Sequence, residues 1–276
     1  AMCALSTGGF STKLNSIGEY GSLTIEIITI VLMLIGTTNF AVLLLLVKGK
    51  WRRVINVSEV RFMFLLLLIF VPLTAWSIAT GLHMSFGEGL RHALFDVASA
   101  LSTTGYSTMS YTSWPPFAIG ILIIMMLIGG GIGSTAGGVK MSRVYLMLRI
   151  TMQNVRKRLS PARNVDAPYY FRAQGKTPID MTLAMDTIGF AACYLGLFII
   201  GTLLITITAG CSLTDSMFEF ASALGTVGLS IGITAPSTGA ATLVVEMFGM
   251  ILGRLEIFIV LIGVVSLKQY VQTLGK

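Results

Sequence analysis

The sequence predicts an all-α polytopic membrane protein built from repeated helix, re-entrant pore loop, helix units, and three observations carry that expectation. First, 54% of the 276 residues are hydrophobic and 11% are charged, far from the balance of soluble domains. Second, several apolar runs reach the roughly 20 residues that a helix needs to cross a bilayer. Backbone groups in lipid must be satisfied internally, which leaves helices or closed barrels, and long Leu/Ile/Met runs without alternation exclude a barrel. Third, one short motif recurs as Ala4-Leu5-Ser6-Thr7-Gly8-Gly9-Phe10-Ser11, as Ala98-Ser99-Ala100-Leu101-Ser102-Thr103-Thr104-Gly105-Tyr106-Ser107, and as Ala221-Ser222-Ala223-Leu224-Gly225-Thr226-Val227-Gly228-Leu229-Ser230. A loop repeated between apolar segments points to a site assembled by internal symmetry.

The elements follow in chain order. After the first loop, an apolar run over 24–47 is long enough to span. It ends in Lys48-Gly49-Lys50-Trp51-Arg52-Arg53, which the positive-inside rule places in the cytoplasm, so the first loop faces outward. A second span is expected over 62–81, with Pro72 absorbed as a kink. Residues 89–101 predict a helix too short to cross, ending at the second loop. The returning helix is opened by Trp114-Pro115-Pro116 and runs over 117–128. It is interrupted at 129–138, where six of ten residues are Gly; such a run stays in lipid only where it lines a cavity or is buried in protein. A second basic segment, Lys140 to Lys176, is again expected to be cytoplasmic. The last unit repeats the order with a span over 181–209, a short helix over 214–224, the third loop, and an apolar helix over 238–265. Phe95-Asp96-Val97-Ala98-Ser99-Ala100-Leu101 matches Phe218-Glu219-Phe220-Ala221-Ser222-Ala223-Leu224 in register. The resulting division is 1–58, 59–158, a basic linker 159–180, and 181–276.

A net charge of +7 concentrated in two loops reads as topology rather than as a nucleic-acid surface. Cys3, Cys193 and Cys211 have no disulfide or metal spacing. No Ser/His/Asp set, paired carboxylates or metal-ligand spacing recommends an enzyme, and His83 and His92 are expected to be interfacial and solvated.

The chemistry of the loops Thr7-Gly8-Gly9-Phe10, Thr103-Thr104-Gly105-Tyr106 and Thr226-Val227-Gly228-Leu229 is that of a cation filter. Gly adopts backbone angles barred to other residues, so successive carbonyls can replace an ion's hydration shell. The C-terminal, negative end of each short helix faces the same point. Asp96 and Glu219 either attract cations at the mouth or satisfy backbone amides; the sequence leaves both open. Gly131-Ile132-Gly133-Ser134-Thr135-Ala136 matches the dinucleotide fingerprint G-x-G-x-x-A, but the acid expected about 20 residues on is absent from a basic stretch. Arg254 lies within the last apolar run, where a charge faces a cavity or a partner; Glu256, Glu246 or a helix-end carbonyl are the candidate partners. Lys140 is equally explained by snorkelling.

With the three loops, the broken helix and Gly253-Arg254-Leu255-Glu256, the chain resembles the Trk/Ktr potassium-transporter superfamily. That resemblance implies four such units around a pseudo-fourfold, potassium-channel-like pore, with Gly9, Gly105 and Gly228 as filter glycines for K+. It makes Gly129, Gly130, Gly131, Gly133, Ser134, Thr135, Gly137 and Gly138, with Lys140 and Arg254, a gate beneath the filter. It further implies potassium uptake without a cofactor, a multi-pass protein of the plasma membrane in contact with lipid, a homodimer, and a cytosolic nucleotide-binding ring as regulatory partner. Against the four-unit pattern the chain holds the second unit from its filter onward, then the third and fourth, as expected of an N-terminally truncated member. The other readings are a sodium-permeable transporter of the same fold, a membrane-embedded nucleotide-dependent oxidoreductase using the Gly-rich loop, and a non-conducting scaffold.

Overall fold

A computed structural model describes residues 1–13, 15–159 and 169–255, with 257, 258, 260, 262, 263 and 266. The described elements are helical apart from one hairpin. The helices are α1 (Met2–Leu5), α2 (Leu23–Thr37), α3 (Phe40–Val47), α4 (Trp51–Asn56), α5 (Ser58–Gly81), α6 (Phe86–Leu101), α7 (Pro116–Ile128), α8 (Met141–Leu159), α9 (Met181–Ala209), α10 (Leu213–Leu224) and α11 (Ala240–Arg254). Strands β1 (Tyr169–Arg172) and β2 (Gly175–Pro178) pair antiparallel between α8 and α9.

Helices α5 and α9 are each long and apolar enough to cross a membrane. Pro72 sits inside α5, as membrane helices tolerate. The run expected as a single span over 24–47 is instead divided into α2 and α3, which meet at 111°. The cause is local and tertiary together. Thr38 is extended, and the Asn39 side chain caps α3 by accepting from the Ala41 amide. The last carbonyls of α2, left without intrahelical donors, are taken by the Gly-rich segment: Gly131 N–H donates to Thr37 at 3.0 Å and Thr135 Oγ1 donates to Gly36 at 3.1 Å.

The two short helices begin where their caps dictate. Ser85 and Glu88 form a reciprocal capping box on α6, which starts it three residues before the expected 89. Ser212 caps α10 in the same way from one side. Both helices bury nearly all of their C-terminal halves, unlike a surface helix with one apolar stripe. Helix α6 packs between α5 and α7, and α10 packs against α7, α9 and α11, so α7 joins two repeats. Arg91 of α6 makes a bidentate ion pair with the buried Glu26 of α2, both bonds at 2.7 Å.

Two further departures concern the basic segment and the last helix. The basic segment from Lys140 to Lys176 begins with α8, and the stretch expected as linker over 159–180 contains the hairpin, because Tyr169-Tyr170-Phe171 favours strand and Gly175 turns at φ +133°. The last helix is described over Ala240–Arg254; Glu256, weighed as a partner for Arg254, lies outside the described residues.

Candidate functional site

Each short helix ends in the same way. Thr104 N–H bonds to Ser99 O at 3.0 Å and Thr103 N–H to Ala100 O at 3.2 Å; the pairs Gly8 to Cys3 and Thr7 to Ala4, and Val227 to Ser222 and Thr226 to Ala223, repeat this. That is a Schellman ending, whose left-handed position normally carries Gly. Here it carries Thr7, Thr103 and Thr226, at φ 51°, 53° and 52°. A β-branched residue there costs roughly 1–2 kcal/mol. Its repetition in three loops marks a strained conformation held by its surroundings. Two residues further on, Gly9, Gly105 and Gly228 are again at positive φ.

The loops meet edge to edge. A Cβ on Gly9 would lie 2.0 Å from Thr104 O, and one on Gly105 would lie 2.1 Å from Val227 O. The residue before the positive-φ glycine of one loop therefore presses its carbonyl against the glycine of the preceding loop. Tyr106 fastens the first pair, its hydroxyl donating to Phe10 O at 3.0 Å. Tyr106 and Leu229 are buried whereas Phe10, their counterpart, is 81% exposed. A cleft of about 730 Å³ runs along the arc, lined by all three loops and by Glu246 and Arg254 of α11.

The carboxylates before the loops turn inward, to hydrogen-bond donors. Asp96, fully buried, accepts from Thr108 Oγ1 at 2.6 Å, Thr108 N–H at 3.3 Å and the Tyr111 hydroxyl at 2.8 Å. Glu219 accepts from Ser230 Oγ and from the amides of Ile231, Ile233 and Thr234 at 3.0–3.3 Å. Each carboxylate ties the chain leaving its loop back onto the helix entering it. Of the two roles left open by the sequence, satisfying backbone donors is the one the geometry carries. His92 is half-buried rather than solvated, with Nδ1 2.8 Å from Thr108 Oγ1, while His83 is exposed.

The Gly-rich segment 129–138 closes one end of this arc. Its residues bridge the loops: Thr7 Oγ1 donates to Thr135 Oγ1 at 3.0 Å, and Gly137 N–H donates to Thr103 Oγ1 at 2.7 Å. A Cβ on Gly137 would lie 2.2 Å from Gly225 O and 2.3 Å from Thr226 Oγ1, so no larger residue fits against the third loop. The segment thus touches the left-handed threonine of every repeat. Arg254 reaches it from α11, donating to Thr135 O at 2.9 Å. Lys140, at φ +84°, donates to Ala136 O, which holds its ammonium at the loop rather than leaving it to snorkel. Ser134 bonds within the loop to Gly131 O. Ile132 N–H faces Glu59 Oε1 at 3.4 Å. The segment joins two helices, α7 and α8, and lacks the preceding strand that a dinucleotide fingerprint requires.

Thr108, Tyr111, Ser230, Asn39, Glu59 and Gly36 all serve the site without having been singled out from sequence. One signal was present: a hydroxyl residue follows each carboxylate by 12 and 11 positions, at Thr108 and Ser230.

Helices that stop short inside the bundle, each ending in a left-handed loop that abuts its neighbour, define an integral membrane protein of the re-entrant pore-loop class. Residues 1–270 match the family described as TrkH, cation transport protein, and the chain belongs to that family. Similar proteins include the Trk system potassium uptake protein TrkH of Halomonas elongata, 31% identical over 264 residues that cover 92% of this chain and 52% of the relative. TrkG of Escherichia coli K12, also a Trk system potassium uptake protein, is 29% identical over 263 residues, covering 94% and 53%. The crystal structure of the potassium transporter TrkH from Vibrio parahaemolyticus superposes with a TM-score of 0.80 at 25% identity, covering 94% of this chain and 56% of that one. The chain spans about half the length of the curated relatives it matches.

Proposed function

We propose that this chain supplies three filter loops and the gate of a potassium-uptake pore, acting as part of a larger pore-forming protein. The carrying observation is the threefold backbone, with Thr at φ 51–53° and Gly at positive φ in each loop and the glycine of one loop against the carbonyl of the next. A pore lined by such carbonyls replaces an ion's hydration shell without charged side chains, and the names of the relatives point to potassium. The filter is assigned to Thr7–Phe10, Thr103–Tyr106 and Thr226–Leu229, and the repeats to 1–58, 59–158 and 181–276. By the positive-inside rule the filter faces outward and the basic loops inward. Homodimers and a cytosolic nucleotide-binding ring on the basic face belong to the same reading. The test is uptake by the full-length protein in potassium-starved cells with sodium as competitor: Gly228→Asp should abolish discrimination for potassium, and unchanged discrimination overturns the filter assignment.

The gate reading rests on the segment 129–138 spanning the end of the arc and on Arg254 donating to Thr135 O. A cation beside the pore raises the barrier to other cations, and its hydrogen bond holds the loop across the path. Arg254→Ala is therefore expected to raise the rate by about 10-fold to 100-fold, since a charged hydrogen bond is worth about 1.5–3 kcal/mol, while the potassium-to-sodium ratio stays put. An unchanged rate would leave Arg254 with a packing role.

A further inference from the structure

At the basic end of α5, away from the filter, a cleft of about 370 Å³ opens between α5, α8 and β1. Two arginines line it, Arg61 and Arg149, and among the described residues no carboxylate does. The Arg61 guanidinium donates to Ile55 O at 2.8 Å and to Asn56 Oδ1, both neutral acceptors, and among the described residues it has no ion pair. Arg149 Nε is buried and, among the described residues, has no hydrogen-bond partner. A buried donor without a partner is a standing cost of about 1–3 kcal/mol, relieved by any acceptor that enters. A third cation stands at the rim, where Lys176 Nζ lies 3.7 Å above the ring of Tyr169, another lining residue.

The rest of the wall is apolar and continues toward the bilayer. Leu65 lines the cleft and is 49% exposed, and Leu68, one helical turn further along the spanning helix, is 73% exposed. A cationic floor with an exposed aliphatic shelf above it matches a molecule that is anionic at one end and hydrocarbon at the other. Aromatic rings at this level, here Tyr145 and Tyr169, are what membrane proteins place at the headgroup layer.

We propose that this cleft is a binding site for the phosphate headgroup of an anionic phospholipid, with Arg149 and Arg61 as its phosphate ligands and the Leu65 to Leu68 face against the acyl chain. Basic pockets between membrane helices bind anionic headgroups in this manner, and arginine matches a phosphate with two parallel donors. The other source of the same chemistry is a free phosphate, and the experiment separates the two.

The full-length protein, purified in detergent and stripped of lipid, is titrated with phosphatidylglycerol, phosphatidylcholine and inorganic phosphate and read by native mass spectrometry. Phosphatidylglycerol should be retained in preference to phosphatidylcholine. Arg149→Gln and Arg61→Gln should each weaken that retention about fivefold, with Arg149→Lys, which keeps the charge but not the paired donors, between Arg149→Gln and the parent. Arg52→Gln with Arg53→Gln, on the exposed face of α4 and outside the cleft, should leave it unchanged. Equal retention of both lipids overturns the proposal, as does equal loss in the α4 variant, which would mark a diffuse charge effect. A phosphate adduct lost in the cleft variants with lipid retention unaffected assigns the cleft to free phosphate and overturns it too. Should Arg149→Gln fail to fold, the exposed Arg61 carries the same test: phosphatidylglycerol should raise the thermal stability of the parent more than that of Arg61→Gln, and equal stabilisation overturns the site.

Discussion

Gly105→Ala in the full-length protein is expected to remove potassium-selective uptake while the protein still reaches the membrane. The added Cβ would lie 2.1 Å from Val227 O, so either the Val227 carbonyl turns away or the second loop withdraws, and both open the arc where two loops meet. Overpacking costs about 1–3 kcal/mol, and an alanine at φ +84° adds roughly 1–2 kcal/mol. If that cost falls on the conducting conformation, the rate drops by about 30-fold to more than 1,000-fold at 1.4 kcal/mol per decade. Gly8→Ala provides the contrast. Its Cβ would meet nothing closer than 3.4 Å, and the other loops carry Thr104 and Val227 at that position. Uptake within about threefold of the parent is expected, the scale of a surface change of under 0.5 kcal/mol. Rubidium uptake with sodium and potassium competitors measures both variants, and retained discrimination in Gly105→Ala would remove Gly105 from the filter.

The second large effect concerns the buried carboxylates. Asp96→Ala leaves Thr108 Oγ1, Thr108 N–H and the Tyr111 hydroxyl without their acceptor, and Glu219→Ala strands the donors of Ser230, Ile231, Ile233 and Thr234. At about 1–3 kcal/mol for each buried donor left unpaired, a loss of several kcal/mol of stability is expected in either variant. The conservative Asp96→Asn and Glu219→Gln keep an acceptor oxygen and should lose about half as much. Thermal unfolding of the purified full-length protein, followed by fluorescence, reads the difference. A Glu219→Ala protein as stable as the parent would show that the chain after the third glycine loop stands without its brace.

What the sequence made legible was the set of features encoded by neighbours in the chain. The two short helices and their loops were readable because Ala-Ser-Ala-Leu, the preceding acid and the following Gly recur in register, and their starts are written in Ser85, Glu88 and Ser212. The break between α2 and α3 was hidden in the apolar run 24–47. Hydropathy reports length but not direction, and the bend is fixed by donors from Gly131 and Thr135, about a hundred positions away. The roles of Asp96 and Glu219 were undecided for a related reason. Glu219 is met mainly by backbone amides, whose position no side-chain pattern announces, and Asp96 by two hydroxyls and one amide that only the fold brings together. The hairpin was masked by the basic residues around it, although Tyr169-Tyr170-Phe171 is a strand-forming run. The left-handed threonines ran against propensity, which favours Gly at that position, and such violations fall where function holds the backbone.

The contacts of the Gly-rich segment set how often it leaves its place. Moving it away breaks the bonds to Thr7, Thr103, Gly36 and Thr37 and the charged bond from Arg254. At about 1 kcal/mol for each neutral bond and about 2 for the charged one, the sum is near 6 kcal/mol. A state that far above the resting one is occupied on the order of one part in 10⁴ of the time. If the segment is the gate, as proposed, the path past the three threonines would stand open for well under a second in each hour when left to thermal motion. Any partner that opens it must bind the displaced form about 10⁴ times more tightly than the resting one.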